Sequence, residues 1–219
     1  MSSREVLKTV LVVDDHDLIR LGICRLLSDV PGINVIDQAA SGEEAIVLVR
    51  KHRPDIVFMD IRMPGIGGLE ATQRILSQQP NTKVIVISAF NDDVYPMTLL
   101  KAGASGYITK NADTDEIKTA IETVLLGKVY VSPRLAQMMV VNGLSNQSES
   151  PLSLFSPREL QIAELITNGK RANDVAESLN ISPKIINTYK YRIYEQLGVS
   201  NDVELTLAAV NMVWLTPLK

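Results

Sequence analysis

Five times within residues 9–126, a short apolar run of strand type gives way to a stretch with helical spacing. The runs are residues 9–13 (Thr-Val-Leu-Val-Val), 34–40, 55–59 (Asp-Ile-Val-Phe-Met), 83–88 (Lys-Val-Ile-Val-Ile-Ser) and 106–110 (Gly-Tyr-Ile-Thr-Lys). Helical stretches follow at residues 18–28, from the capping Ser41 with first-turn acids Glu43 and Glu44, and at 68–79, 94–102 and 114–126. Runs that are apolar throughout, rather than alternating, suit strands covered on both faces. Strand and helix in strict alternation predict an α/β domain, a doubly wound parallel sheet of flavodoxin-like (βα)5 order.

In such a sheet the C-terminal strand ends converge on one edge, where open α/β folds place their ligands. That edge collects Asp14 and Asp15, Asp60, Ser88 and Lys110 from strands one, three, four and five. Taken singly, each residue needs to be no more than a strand terminator or a turn cap. Together they make a pocket of three carboxylates, and at ~5 Å with an effective dielectric of ~20 each pair repels by roughly 3 kcal/mol. Cations must offset that repulsion, and the two on offer are Lys110 and a divalent ion. Hard oxygen ligands favour Mg²⁺. With the charge balanced, Asp60 can attack phosphorus as a carboxylate nucleophile, Lys110 can share charge on the phosphoryl oxygens, and Ser88 can donate to one of them. Tyr107, three residues before Lys110, can then rotate into the space that an inward-drawn Ser88 loop vacates, a local charge event with a packing readout.

These residues resemble a response-regulator receiver domain over 9–126, through Asp14-Asp15, Asp60 in Asp-Ile-Arg-Met-Pro-Gly, Ser88-Ala89 and the run from Gly103 to Lys110. The resemblance implies Asp60 as phosphoacceptor, and Mg²⁺ held by Asp15, Asp60 and the Arg62 backbone carbonyl, with Asp14 acting through water. It also implies Ser88 and Tyr107 as a switch pair and Ala89 beside the phosphoryl group. Many receivers follow the lysine with proline, whereas Asn111 stands here.

The second half begins differently. Ser132-Pro133 opens a short helix to about residue 141, and residues 143–157 are Ser-rich without periodicity, a hinge between domains. Ser156-Pro157-Arg158-Glu159 is a helix start with its capping glutamate. A short helix at 172–179, a turn ending in Ser182-Pro183, a longer helix at 183–197 and a last one at 203–213 give a four-helix, all-α domain of helix-turn-helix type. The expected division is 1–127, a connector at 128–154 with its short helix, and 155–219. On the longer helix Ile186, Tyr189 or the Lys190 stem, Ile193 and Leu197 form the inner stripe, and Lys184, Asn187, Thr188, Tyr191 and Arg192 face outward. A charged outer face is commonly only solvated; the capped helix-turn-helix around it argues for double-stranded DNA.

This segment is similar to the C-terminal domains of NarL/FixJ regulators with LuxR-type helix-turn-helices, through Phe-Ser-Pro-Arg-Glu-Leu, Asp-Val-Ala-Glu-Ser-Leu-Asn-Ile-Ser-Pro-Lys and Leu-Gly-Val-Ser. Asn-Thr-Tyr-Lys-Tyr-Arg-Ile-Tyr-Glu-Gln-Leu resembles the GacA/UvrY-like branch. The resemblance implies Asn187, Thr188 and Tyr191 toward bases, Lys184, Lys190 and Arg192 toward phosphates, and a dimer contact on the last helix. Ile185 departs from the usual threonine. The branch implies a membrane-linked hybrid sensor histidine kinase as phosphodonor, homodimers on phosphorylation, and activation of genes for small RNAs that sequester a CsrA-type regulator.

Composition fits this reading. A net charge of -3 over 219 residues argues against indiscriminate nucleic-acid binding by the whole chain, and acids and bases balance from Phe155 onward. The single cysteine, Cys24, reads as a core filler in a reducing compartment. With no cationic-then-apolar leader and no apolar run approaching ~18 residues, a cytoplasmic protein without membrane insertion is expected. Two rivals make different demands. A phosphohydrolase of haloacid-dehalogenase type wants its nucleophile and acid two apart after the first strand, whereas Asp14 and Asp15 are adjacent. An interaction-only receiver has no use for the full set Asp15, Asp60, Ser88 and Lys110. The chain is therefore read as no enzyme, a phosphoryl acceptor with at most weak autophosphatase activity.

Overall fold

The computed structural model describes residues 7–88, 95–144 and 155–211. The chain divides into two compact units, one built on a sheet and one on helices. In the first, strands β1 (Lys8–Val13), β2 (Ile33–Ala39), β3 (Ile56–Asp60), β4 (Lys83–Ser88), β5 (Gly106–Thr109) and β6 (Tyr130–Val131) pair in the order β2-β1-β3-β4-β5-β6. Every pairing is parallel. Helices α1 (Asp17–Ser28), α2 (Gly42–His52), α3 (Gly67–Gln78), α4 (Tyr95–Lys101) and α5 (Thr114–Leu125) supply the crossovers.

The sheet is buried because alternate residues of each strand serve opposite faces. Val10, Val12, Ile56, Phe58, Ile85, Ile87 and Ile108 pack with Ile23 and Leu27 of α1 and with Ile117, Ala120, Ile121 and Val124 of α5. Cys24 is half-buried against this core, as expected of a filler. Each fully buried Leu, Ile or Phe contributes about 1.5–3 kcal/mol. The strand order reverses between β1 and β3, and this switch point brings the C-terminal ends of both strands to one crevice.

One strand was not foreseen. β6 lies past the five expected, in the stretch read as connector. Ser105 and Tyr107 carbonyls accept from the Tyr130 and Ser132 N–H groups, at 3.0 Å each. Helix α6 (Pro133–Leu144) follows at once, and Leu135 on it is buried.

The second unit consists of α7 (Pro157–Thr167), α8 (Ala172–Ser178), α9 (Pro183–Leu197) and α10 (Asp202–Asn211). Ser156 and Glu159 close a reciprocal capping box on α7. Leu160, Ile162, Ala163 and Ile166 of α7 are buried, as are Val175, Ile186, Ile193, Leu205 and Ala209. The turn into α9 carries Asn180 at φ 53°, and Ser182 caps α9 by accepting from the Ile185 N–H. Arg158 donates to the Leu179 carbonyl at 2.9 Å, which ties α7 to that turn. Among the described residues no helix is long and apolar enough to cross a membrane.

Candidate functional site

The sheet edge is assembled by strand ends. Asp14 and Asp15 follow β1, Asp60 ends β3, Ser88 ends β4 and Lys110 follows β5. Asp14 is 0 % exposed and Asp60 3 %. Lys110 Nζ lies 2.8 Å from Asp14 Oδ2 and 3.0 Å from Asp60 Oδ2, so one ammonium bridges two buried carboxylates. Asn111 after the lysine does not disturb this, and the Lys110 N–H donates to the Ser88 carbonyl at 2.7 Å, fixing the two strand ends together.

The charges are not balanced by lysine alone. Burial pushes the Asp60 carboxyl up, Lys110 opposes it, and Asp14 and Asp15 push it further, to about 6. Burial works to lower the Lys110 ammonium, but its contacts with Asp14 and Asp60 outweigh this and hold it above its ordinary value. Ligand atoms of Asp14, Asp15, His16 and Asp60 all lie within 4.8 Å of one another. A hard divalent cation fits this set of carboxylate oxygens and the surplus negative charge around it. His16 was not singled out by sequence; its Nδ1 lies 3.0 Å from Asp15 Oδ1.

Backbone positioning accounts for residues that sequence reasoning missed. Arg20 donates to the Asp14 carbonyl at 2.7 Å. The Glu43 carboxylate accepts from the Ile66 N–H at 3.1 Å and so pins the loop that follows Asp60. Gly68 packs so closely under that loop that a Cβ there would sit 1.9 Å from the Asp60 carbonyl oxygen. None of the three carries chemistry of its own, and no local pattern marks them.

The remaining expected residues fall as follows. Ser88 is buried beside Asp60's strand, and Tyr107 is wholly buried, in the inward position. Arg62 is exposed in the loop after β3. Ala89 lies outside the described residues, as do Val94, Val213 and residues 145–154 of the expected connector.

On α9 the inner stripe is Ile186 and Ile193, with Tyr189, Lys190 and Leu197 half-buried. Lys184, Asn187, Thr188, Tyr191 and Arg192 are exposed along the outer side. Arg192 sits over the Tyr189 ring, 5.9 Å from its centroid, and the Thr188 hydroxyl donates to the Lys184 carbonyl at 3.1 Å. Lys190 does not join this face. Its ammonium turns to Asp202 of α10 at 2.8 Å. Along α10, Val203, Leu207 and Val210 are exposed apolar side chains.

Comparison with known proteins agrees with both units. Residues 10–122 match the family described as "Response regulator receiver domain". Residues 153–209 match "Bacterial regulatory proteins, luxR family". The chain is 48% identical over 201 residues to "Response regulator GacA" of Pseudomonas protegens, covering 92% of this chain and 94% of that one. It is 42% identical over 202 residues to "Response regulator UvrY" of Escherichia coli, covering 92% and 93%. A crystal structure of a LuxR-family two-component response regulator from Aurantimonas aligns with a TM-score of 0.60 at 36% identity, over 63% of this chain and 99% of that one.

Proposed function

The chain belongs to the response regulators, with a receiver domain and a luxR-family C-terminal domain, and from that premise we propose that a sensor histidine kinase phosphorylates Asp60 to control dimerisation and promoter binding. The observation that carries the reading is Asp60 itself, a buried carboxylate at a strand end with Lys110 3.0 Å away and two further acids beside it. An Asp60 carboxylate oxygen attacks the phosphorus of a phosphohistidine, the P–N bond breaks, and the imidazole leaves carrying a proton. Lys110 stabilises the charge on the phosphoryl oxygens, and Ser88 donates to one of them. Asp15, Asp60 and the Arg62 carbonyl are the groups that would hold Mg²⁺, with Asp14 reaching it through water. When bound, the ion neutralises charge shared between the carboxylates and the incoming phosphoryl group.

The phosphoryl group acts by population shift, moving the equilibrium only by its differential affinity for the two states. By the family resemblance Ala89 would lie beside the phosphoryl group; Tyr107, wholly buried, is the packing side of the switch. The phosphorylated chain forms a homodimer through the exposed apolar side of α10. The outer side of α9 then enters the major groove of double-stranded DNA with Lys184 and Arg192 toward phosphates, and Asn187, Thr188 and Tyr191 toward base edges. The domains are the receiver of 1–127, the connector of 128–154, whose first residues extend the sheet, and the DNA-binding domain of 155–219. The regulator works in the cytoplasm downstream of a hybrid, membrane-linked kinase, activates genes for small regulatory RNAs of a Gac/Csr-type pathway, and has at most weak autophosphatase activity.

The test treats wild type and Asp60→Ala with Mg²⁺ and a small-molecule phosphodonor, then reads intact mass, oligomeric mass and retention on duplex DNA. Wild type gains a phosphoryl mass, dimerises and binds more tightly, whereas Asp60→Ala does none of these. Equal behaviour of the two proteins removes Asp60 as the switch.

A further inference from the structure

The second unit contains a charge cluster between α9 and α10, its lysine mostly covered and its carboxylate half-exposed. Lys190 Nζ donates to Asp202 Oδ2 at 2.8 Å, and the Tyr194 hydroxyl donates to Asp202 Oδ1. Both carboxylate oxygens are thus engaged, by side chains one turn apart on α9. Lys190 Nζ also sits 5.8 Å from the Tyr194 ring centroid, and only 17 % of its side chain is exposed. Tyr191, the next residue along, is 75 % exposed. Asp202 is the first residue of α10, where the helix dipole favours a carboxylate.

We infer that Lys190 is no DNA contact but half of a neutral clamp, in which Asp202 is the positioning residue that holds α9 against α10. The inference rests on the reading of α9 as the helix that meets DNA. Two anchors one turn apart fix the rotation of α9 about its own axis, and so decide which side chains point outward. The electrostatics separate Lys190 from Lys184 and Arg192. A cation contributes to DNA binding by neutralising phosphate and releasing condensed counterions. Lys190 and Asp202 together present no net charge to the duplex. Swinging Lys190 to a phosphate would exchange one anion for another and leave the Asp202 carboxylate facing a polyanion. Nothing drives that exchange. The clamp therefore spends a lysine on geometry and leaves the salt dependence of binding to Lys184 and Arg192.

The experiment measures affinity of the full-length chain, treated with Mg²⁺ and a small-molecule phosphodonor, for a short random-sequence duplex across a salt series, with wild type, Lys190→Met, Asp202→Asn and the double variant. For Lys190→Met the slope of log K against log salt stays within a few tenths of wild type. For Asp202→Asn it steepens by about one, because a net positive charge now remains at the helix. The double variant returns to the wild-type slope. A phosphate-contacting lysine gives the opposite pattern: Lys190→Met flattens the slope by about one and Asp202→Asn leaves it unchanged, which overturns the clamp. Should Lys190→Met lose helical content by circular dichroism, the Asp202→Asn slope decides alone. A wild type with no measurable affinity removes the DNA-binding reading itself and the clamp with it. Slopes that differ among variants while wild type binds speak only to the clamp.

Discussion

At the sheet edge Asp14 and Asp60 share one lysine largely out of water, with a ligand atom of Asp15 within 4.8 Å of theirs, whereas along α9 Lys184, Asn187, Thr188, Tyr191 and Arg192 stand exposed. Both regions are suited to anions, but they fail in different ways. In the buried cluster each charge depends on the others, so removing one leaves the rest uncompensated in a low dielectric. On the helix surface the side chains stand in water, and losses at positions far enough apart to share no partner add. A buried cluster therefore suits a switch, which must respond as a unit, and a solvated row suits graded recognition.

The sharpest way to break this contrast is Gly68→Ala. Its Cβ would overlap the Asp60 carbonyl, so unfolding by denaturant should show a loss of roughly 3 kcal/mol or more. Acceptance of phosphoryl groups should fall with it. Lys110→Met comes next, with an expected loss of about 3 kcal/mol, since Asp14 and Asp60 keep their burial and lose their shared cation. A stability equal to wild type would mean the carboxylates were never coupled. Arg192→Ala should be milder. It leaves stability within ~0.5 kcal/mol and flattens the salt slope of DNA binding by about one; any cooperative loss of fold would deny that the row acts side chain by side chain.

A single carboxylate at the other end of the sheet gives a pH-dependent effect. Burial works to raise the Asp55 carboxyl, but hydrogen bonds from the Thr9 N–H, Lys8 and the Thr9 hydroxyl outweigh it and hold it below the ordinary value. A depressed carboxylate stabilises the fold above its unfolded pKa of about 3.9 and loses that contribution as pH falls below it. Asp55→Asn should cost about 1 kcal/mol at pH 7, with the gap to wild type closing below about pH 4. A gap that persists in acid assigns the effect to packing rather than charge.

The two regions also differed in how much of them could be read from residues alone. α9 ends where expected because its signals are local: Ser182 and Pro183 at one end, Gly198 at φ 66° at the other. Asp14, Asp15, Asp60 and Lys110 were legible because parallel strands bring their C-terminal ends together whatever the details of packing. Arg20, Glu43 and Gly68 were not, since they act on backbone atoms that only the finished fold brings near. β6 was hidden by its length, two residues being too short to show a period; it forms because β5 would otherwise present unpaired backbone groups. The partner of Lys190 was hidden for a related reason. Spacing set its stem on the inner stripe and the family resemblance set its ammonium toward phosphates, but the carboxylate it meets stands twelve positions on, at Asp202.

The pairing of β6 with β5 has a mechanical consequence. The segment leaving the sheet unit is riveted to the strand that carries Tyr107 and runs into Lys110, through N–H groups on Tyr130 and Ser132. Because the two strands are parallel, tension applied to the chain beyond Ser132 loads those rivets side by side, in shear, rather than one after another as in an opening zipper. A tug at the exit is thus borne by β5 itself. Movement of β5 in turn is felt first by the residues that begin α6.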